Sequence, residues 1–472
     1  MDLVDACFAG AAAQADLLRA GELSSRELVA ATLGRIERHD RELNAYRLVF
    51  AEQAIESAAA ADERRAHGED APLLGVPVAV KEDLAIAGLP TTTGTYAVDR
   101  SESSDSEVVR RLRAAGAVIV GRTRMPELGL WPYTESAFAG ATRNPWSPAH
   151  TPGGSSGGSA SAVCAGLAGA AIGTDGAGSI RIPAASSGVF GLKPQRGRVS
   201  LHPNGEQWTG MVVAGPLSRH VRDWALVADQ IRGSLPSDPV AAIPPRMSFV
   251  EAAATTPGRL RVAVSLKPWV AGAPVDQRVR AAVLATAELL RALGHEVIER
   301  DPTLLDPTTQ LALAPRYLSS AAEAVAALDR PKAVERRTRQ VAALGRAVPR
   351  WLVVRSRRFG ERFSQVANDV FTDADVLLTP TLTRPPIRVG EWQDRSTLAT
   401  LLAANRYTAF LPQWNIAGNP AASVPAGFTP DGLPLAVQLV GRPHDECTLL
   451  SLSSQIEQAR PWADLRPSGF SG

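Results

Sequence analysis

Two glycine-rich stretches carry the side chains best suited to chemistry. The segment GGSSGGSA covers residues 153–160, and the segment GTDGAGSIRIP covers residues 173–183. A glycine-rich loop that enters a helix can bind phosphate through its backbone N–H groups. It can also hold a serine nucleophile beside N–H groups that stabilise an oxyanion. The candidate nucleophiles are Ser155 and Ser179, and the spacing of the glycines must decide between the two chemistries.

That spacing argues against phosphate binding. A P-loop places a lysine directly after its last glycine, and no lysine follows the glycines of either segment. The dinucleotide fingerprint GxGxxG also fails, because Gly173, Gly176 and Gly178 are differently spaced.

The nucleophile elbow of α/β-hydrolases is the second alternative. Residues 153–157 satisfy its GxSxG pattern, but the residues before them are AHTP and not a buried strand. A histidine base remains available for this alternative, although scattered histidines are more typical of ordinary surface or core positions. The candidates are His202, His220, His295 and His444.

A lysine is the other candidate base. Only four lysines occur among 50 basic residues, namely Lys81, Lys193, Lys267 and Lys332. Arginine therefore supplies most of the positive charge, and Lys81 stands out because it ends the apolar run 76–80. A desolvated lysine can lose its proton, whereas an arginine cannot.

The surrounding pattern predicts the elements that position these side chains. Apolar runs and periodicity alternate between strand and helix, which is typical of an α/β fold. Residues 24–27 form a capping box that opens a helix. The predicted strands are 76–80, 169–175, 260–264, 295–299, 375–380, 421–425 and 431–441, and residues 114–123 are predicted to contain the end of a helix and then a strand. The predicted helices include 48–67, 158–168 and 276–293.

Two further segments are defined by composition. Residues 233–258 are rich in Pro, Ser and Ala and are predicted to connect the two halves of the chain. Residues 330–363 carry many arginines and are predicted to form a solvated helical face, with a helical lid over the site as the alternative.

Overall composition excludes several classes of function. The chain has 472 residues, 45% of them apolar and 21% charged, with a formal net charge of +2. These values favour a large globular core and argue against partners such as nucleic acid or an anionic membrane. The three cysteines are far apart, and neither a signal peptide nor a membrane span is evident, so we expect free thiols in the cytoplasm.

Taken together, these segments resemble the amidase signature family of serine hydrolases. The resemblance rests on the two glycine-rich segments and on GVPVAVKEDLAIAGLPTTTGT, GRTRMPELG, TRNPWSPAHTPGG, GPLSRHVRD, DVLLTPT and NIAGNPAASVPAGFTPDGLPLAVQLVG. It covers nearly the whole chain and is least distinct at about 240–370. The separation of Ser155 and Ser179, 179 − 155 = 24 residues, also matches the family.

The resemblance implies a fold and a set of roles. The expected fold is α/β, a single domain over 1–472 with a large mixed, mostly parallel β-sheet between helices and catalytic motifs within 70–232. Ser179 is the implied nucleophile, Ser155 the bridging serine with a cis peptide bond, and Lys81 the base. The implied oxyanion hole uses the N–H groups of Gly176, Ala177, Gly178 and Ser179, and no metal or cofactor is expected.

One position departs from the family pattern. The family reads T-D-x-G-G-S, whereas this chain reads TDGAGS at 174–179, with Ala177 in place of the first paired glycine. If that position requires a positive φ, alanine costs about 1 kcal/mol or more. Gly176 is then the candidate to supply the flexibility, and Asp175 and Arg181 are expected to anchor the loop.

The implied substrates are small neutral aryl or alkyl amides, with esters and carbamates as further substrates. Trp131, Tyr133, Trp208 and Trp414 are predicted to bind substrate, whereas Phe138 and Phe410 are predicted to belong to the core. The chain is expected to act as a monomer or homodimer. The alternative is a glutaminase like the A subunit of glutamine amidotransferases, which works with a partner and needs an α-amino acid site that the sequence does not reveal.

Overall fold

The computed structural model describes residues 2–303 and 308–470, and a large β-sheet dominates it. Eleven strands form this sheet in the order β1-β3-β2-β6-β8-β7-β12-β13-β11-β9-β10, and β4 and β5 pair separately. The strands are β1 (Tyr46–Val49), β2 (Pro77–Lys81), β3 (Val118–Thr123), β4 (Glu135–Ser136), β5 (Gly140–Ala141), β6 (Ala170–Asp175), β7 (Phe190–Lys193), β8 (Val213–Ser218), β9 (Arg261–Val264), β10 (Glu296–Glu299), β11 (Val376–Pro380), β12 (Ala421–Phe428) and β13 (Pro434–Gly441).

Helices pack against this sheet and against one another. They are α1 (Leu3–Phe8), α2 (Gly10–Arg19), α3 (Ser25–Leu43), α4 (Ala51–Ala66), α5 (Glu107–Ala114), α6 (Gly157–Cys164), α7 (Arg181–Ser187), α8 (Val221–Ile231), α9 (Phe249–Ala254), α10 (Gln277–Ala292), α11 (Thr308–Ala326), α12 (Arg336–Arg346), α13 (Arg350–Ala367), α14 (Thr397–Tyr407), α15 (Pro412–Ala417) and α16 (Glu446–Ala459).

The predicted fold class is confirmed, and the sheet is mixed. Parallel pairs lie on its two flanks, β3-β2-β6 and β11-β9-β10. The strands between these flanks pair antiparallel, as does β1 with β3. The antiparallel share, six of ten pairs, is therefore larger than the sequence led us to expect.

The segment 233–258 was expected to be a plain connection, but it contains α9. This short helix buries Phe249, Ala252 and Ala253 in the same hydrophobic cluster as residues of β9, β11 and β13. Because apolar side chains of the segment belong to the core, the two halves of the chain share one interior. The continuous sheet has the same consequence, and the chain folds as a single domain.

Local chemistry fixes the start of α3, as the capping box predicted. The side-chain oxygen of Ser24 accepts a hydrogen bond from the Glu27 N–H at 3.2 Å. The carboxylate of Glu27 accepts one from the Ser24 N–H at 2.9 Å. Two N–H groups that lack a partner in the first turn of a helix are thereby satisfied.

Small residues allow α6 to lie within the interior. All eight residues of this helix are buried. A Cβ on Gly158 would overlap the backbone of Ala45 and Arg124, so a larger residue could not pass there. The close approach holds the segment 153–160 against the neighbouring strands, and Ser155 lies just before α6.

The arginine-rich segment 330–363 forms a helical pair outside the sheet. Helices α12 and α13 both pack against α11. They bury small or apolar residues such as Val341, Ala342 and Phe363 and leave arginines on their outer side, among them Arg346 and Arg350. This arrangement agrees with the expected solvated face.

A glycine on α12 provides a test of this packing. A Cβ on Gly345 would overlap the carbonyl oxygen of Leu318 on α11, whereas nothing lies within 4 Å of a Cβ on Gly34 in α3. We expect Gly345→Ala to lower the free energy of unfolding by about 1–3 kcal/mol through overpacking. We expect Gly34→Ala to raise it by about 0.5–1 kcal/mol through reduced backbone entropy of the unfolded chain.

Urea unfolding of the two variants and the parent chain measures both effects. Gly34→Ala controls for the general effect of alanine on helix propensity. Equal stability of Gly345→Ala and the parent chain would show that α11 and α12 do not approach as closely as described.

Candidate active site

Lys81 occupies the last position of β2 and is wholly buried. Its Nζ donates hydrogen bonds to the Oγ of Ser155 at 2.8 Å and to the Oγ1 of Thr174 at 2.7 Å. Parallel pairing of β2 with β6 places Val80 opposite Ile172, and β6 continues past the end of β2 to Asp175. Thr174 on β6 consequently lies beside the lysine, and the amine has defined partners in a site without water access.

Burial is the main influence on Lys81. It lowers the pKa of the Lys81 ammonium, because the charged form is poorly solvated there. The carboxylate of Asp83, 3.3 Å from Nζ, opposes this effect, and Asp175 and Glu82 do so more weakly. Burial prevails, so the neutral amine is more accessible than in an ordinary lysine.

The two acidic neighbours of Lys81 in sequence differ in direction. Glu82 points away from the amine and accepts hydrogen bonds from Thr92 at 2.6 Å and from the N–H of Met125 at 2.9 Å. Asp83, two residues after Lys81, faces the amine. Only one carboxylate of this pair therefore contacts the lysine.

Ser155 lies in a loop that is locked to its surroundings. The Gly154–Ser155 peptide bond is cis, as the family resemblance implied. A Cβ on Gly154 would come within 2.7 Å of the backbone of Trp131 and Tyr133, so glycine is needed for this close approach. A Cβ on Gly129 would lie 3.3 Å from the Ser155 Oγ, which places that hydroxyl at the same wall as Gly129.

Hydrogen bonds join the two glycine-rich segments. The N–H of Ser156 donates to the carbonyl oxygen of Ser179 at 3.2 Å. The Oγ of Ser156 donates to the carbonyl oxygen of Thr174 at 3.2 Å and accepts from the Thr174 N–H at 3.3 Å. The segments are thereby held in fixed register, with Ser155, Ser179 and Lys81 in one region.

A buried ion pair anchors the loop that carries Ser179. The guanidinium of Arg181 lies 3.0 Å from the carboxylate of Asp175, and both side chains are wholly buried. Burial alone would raise the pKa of Asp175, but the charge and hydrogen bonds of Arg181 outweigh it and hold the pKa below its ordinary value. Arg181 also donates to Asn415 at 2.6 Å and Gln438 at 2.8 Å. It acts as the expected anchor.

The structure corrects two expectations for residues 176–179, the candidate oxyanion loop. The positive φ, +121°, belongs to Gly178 and not to Ala177 or Gly176, so alanine at 177 carries no left-handed strain. The N–H of Gly178 donates to Asp175 at 2.7 Å and is therefore not free to bind an oxyanion. Within the described part of the chain, no group accepts from the N–H of Gly176, Ala177 or Ser179.

A cavity of about 230 Å³ opens beside Ser179. Its walls are mostly apolar and come from the 129–132 segment, the oxyanion loop, Trp208, and helices α11 and α14. The lining residues are Gly129, Leu130, Trp131, Pro132, Ala177, Ser179, Ile182, Trp208, Leu313, Ala314, Tyr317, Leu318, Leu401, Leu402, Ala404, Asn405, Thr408 and Pro412.

The four aromatic residues predicted to bind substrate have different positions. Trp131 and Trp208 line this cavity. Tyr133 lines a separate groove of about 1320 Å³, where its hydroxyl accepts a hydrogen bond from Arg337 at 2.8 Å. Trp414 is wholly buried against Trp269 in the core, so its prediction as a substrate contact is wrong.

The two phenylalanines that were predicted to belong to the core differ in burial. Phe410 is wholly buried, which confirms the prediction that it belongs to the core. Phe138 is 38% exposed and packs edge-on against Tyr96, so the core prediction for it is wrong. Its position in the short β4–β5 turn, away from the main sheet, explains the difference.

Sequence reasoning missed several residues of the site. Thr174 and Asp83 lie within recognised motifs but had no assigned role. The cavity wall from α11 includes Leu313 and Tyr317, in the part of the chain where the resemblance is least distinct. The cavity residues 401, 404, 405 and 408 have the spacing of one helix face, which the sequence could have indicated. Nothing in the sequence indicates which part of the molecule that face contacts.

The segment 330–363 contributes no residue to the described lining of the cavity. Helix α11 lies there, and α12 and α13 pack against it. The segment supports the cavity wall from behind, in the geometry described here.

Comparison with known proteins identifies the family. The Amidase family model matches residues 27–450. A Mycobacterium tuberculosis protein with the provisional name amidase AmiB2 is 47% identical over 470 residues, covering 99% of this chain and 100% of that protein. The A subunit of the glutamyl-tRNA(Gln) amidotransferase of Desulforapulum autotrophicum is 35% identical and covers 98% of each chain.

A solved structure shows the same fold over its whole length. The structure of 6-aminohexanoate cyclic dimer hydrolase complexed with substrate superimposes with a TM-score of 0.91 at 31% identity, covering 99% of this chain and 100% of that chain. The chain belongs to the amidase signature family and is an amide hydrolase. Across the described residues, no helix is long and apolar enough to cross a membrane.

The oxyanion loop yields a paired prediction. A Cβ on Gly178 would meet Leu411 at 2.7 Å, and φ there is +121°. We expect Gly178→Ala to lower kcat for amide cleavage by about 100-fold or more, because residues 176–179 would have to move away from the position in which their N–H groups are expected to bind an oxyanion. We expect Ala177→Gly to change kcat only a few-fold, because Ala177 has no left-handed backbone to relieve.

Steady-state kinetics on a p-nitroanilide compare both variants with the parent chain. A hundredfold gain in Ala177→Gly would show instead that the alanine impairs the natural oxyanion hole.

Proposed function

We propose that this chain is a serine hydrolase that cleaves small neutral carboxylic amides through an acyl-enzyme on Ser179. The observation that supports this most directly is the buried hydrogen bond of 2.8 Å between Lys81 Nζ and Ser155 Oγ, next to the loop of Ser179. A serine hydroxyl needs a base to become an effective nucleophile. The only basic side chain hydrogen-bonded to Ser155 in the described structure is Lys81.

In the proposed acylation step, the proton of Ser179 passes to Ser155 while the proton of Ser155 passes to neutral Lys81. The Ser179 oxygen forms a bond to the acyl carbon, and the carbonyl oxygen becomes an oxyanion. The unengaged N–H groups of Gly176, Ala177 and Ser179 are the donors proposed for it. Gly178 contributes by shape, since its N–H already binds Asp175.

Collapse of the tetrahedral intermediate needs a proton on the leaving nitrogen. An amine anion leaves very badly, so Lys81, now an ammonium, returns its proton through Ser155 to that nitrogen. The C–N bond then breaks and the amine departs. Water attacks the acyl-enzyme by the same route in reverse, which restores Ser179 and releases the carboxylic acid.

The cavity supports a neutral substrate. No charged side chain is among its described lining residues, and most are apolar. An apolar pocket with few polar groups binds neutral aryl or alkyl groups. The structurally similar hydrolase is named for a 6-aminohexanoate cyclic dimer, which is consistent with this class. Esters and carbamates present the same acyl carbon and are proposed as further substrates.

A glutaminase that works within an amidotransferase remains the alternative function, because the A subunit of such an enzyme is 35% identical to this chain. Its glutamine substrate carries an α-ammonium and an α-carboxylate, and burying either without a charged partner is costly. The described lining of the cavity beside Ser179 offers no such partner. This contrast favours an independent hydrolase.

The decisive experiment offers one neutral acyl group as a p-nitroanilide, a p-nitrophenyl ester and an aryl carbamate. We expect Ser179→Ala to lose about 10⁶-fold in kcat on every substrate. We expect Lys81→Ala to lose about 10²- to 10⁴-fold on the anilide and less on the ester, because nitrophenolate leaves without a proton.

Matched substitutions at exposed positions control for the loss of a side chain. Ser104 and Lys332 are both exposed, so Ser104→Ala and Lys332→Ala should retain full activity. A fluorophosphonate should label the parent chain and not Ser179→Ala. Turnover of glutamine that appears only with a partner protein, with no anilide turnover, would favour the amidotransferase alternative and contradict the proposal.

A further inference from the structure

Asp83 makes contacts that the relay described above does not use. Its Oδ2 accepts a hydrogen bond from the Thr174 Oγ1 at 2.6 Å and lies 3.3 Å from the Lys81 Nζ. Its Oδ1 is buried and has no hydrogen-bond partner among the described residues. Since Thr174 also accepts from Lys81 at 2.7 Å, the carboxylate, the hydroxyl and the amine form a closed triangle.

We propose that Asp83 is a positioning residue, which with Thr174 holds Lys81 against Ser155 and stabilises the ammonium formed during the reaction. This inference rests on the proposed hydrolase function and names a further group that it requires. Asp83 is not among the described residues that line the cavity beside Ser179.

The hydroxyl of Thr174 shows how the positioning works. A hydroxyl has one proton to donate and two lone pairs that accept. The proton of Thr174 is directed to Asp83, so a lone pair is left for Lys81. The other hydrogen bond of the Lys81 amine is directed to the Oγ of Ser155. Without the carboxylate, the Thr174 proton would be free to turn toward Nζ and compete with this arrangement.

The reaction also explains why a carboxylate suits this place. Lys81 must be neutral to accept a proton and cationic before it returns that proton to the leaving nitrogen. Burial favours only the neutral form. An anion 3.3 Å away favours the cationic form, and the two influences together bring the two states closer in free energy. Asp83 neither gains nor loses a proton in this scheme.

Other charged groups near Lys81 are engaged elsewhere. Asp175, at the end of β6, is paired with Arg181, and Glu82 is turned away toward Thr92 and Met125. Arg122 on β3 donates to the carbonyl oxygens of Glu82 and Leu84. Among the described residues, Asp83 is the carboxylate in direct contact with the amine.

The test is the pH dependence of kcat/KM for the p-nitroanilide in Asp83→Asn. Removing the anion favours the neutral amine, so we expect the acid limb of the profile to move to lower pH by about 1 to 3. We expect the plateau of kcat to fall at least about tenfold, because a weaker base accepts the proton of Ser155. KM should stay unchanged, because Asp83 lies outside the cavity.

Two variants separate charge from position. Glu82→Gln removes the same charge one residue away and should shift the limb much less, because that carboxylate faces elsewhere. Thr174→Val keeps the carboxylate but removes the bridging hydroxyl, so its plateau should fall while its limb stays near that of the parent chain. Thr174→Val also tests the proposal if Asp83→Asn does not fold, which circular dichroism would reveal.

The outcomes distinguish this inference from the proposed function. A parent chain that neither turns over the anilide nor reacts with a fluorophosphonate would overturn the hydrolase function itself. Suppose instead that the parent chain is active. If the pH profile of Asp83→Asn then coincides with that of the parent chain, or if its acid limb lies at higher pH, only the role of Asp83 is overturned. Parent-like activity of Thr174→Val would overturn the positioning through the hydroxyl.

Discussion

The exclusion of water from the amine of Lys81 is the constraint on which the rest of the site depends. A lysine in water is protonated and cannot accept a proton near neutral pH. Here the strand β2 lies between β3 and β6 and delivers the amine, wholly buried, to the ends of those strands. A buried polar group must keep hydrogen-bond partners. The hydroxyls of Ser155 and Thr174 meet that need without adding charge.

A buried ion pair between Asp175 and Arg181 holds the shape of the loop that carries Ser179. The loop before Ser179 has few side chains that could hold its shape, because it is built from small residues. Asp175 replaces side-chain packing with hydrogen bonds to the N–H groups of Gly178 and Ile180. Arg181 then ties Asp175 to α15 and β13 through Asn415 and Gln438. Such a pair is costly to break once buried.

The sequence predicted the strands and the helix around the candidate site better than the walls of the cavity. Three predicted elements are present: the strand that ends in Lys81, the strand that ends in Asp175 and the small-residue helix after Ser155. The local pattern of apolar residues and glycines specifies them. The contact of Trp414 with the core, and the backbone of Ala177, depend on tertiary packing and could not be derived from spacing. The cavity wall contributed by α11 was missed for the same reason, since its residues lie far along the chain from Ser179.

The origin of the cavity walls has a consequence for how such a protein can change. The groups proposed to react come from the first 180 residues, whereas the cavity residues Leu313, Tyr317, Leu401 and Asn405 belong to α11 and α14. Tyr317 on α11 donates a hydrogen bond to the carbonyl oxygen of Leu130. The hydrogen bonds described for Lys81, Ser155 and Thr174 do not involve α11 or α14. Under the proposed function, substitutions on α11 and α14 would change which acyl group enters the cavity and leave the residues proposed for proton transfer in place, so that one catalyst is a starting point for many selectivities.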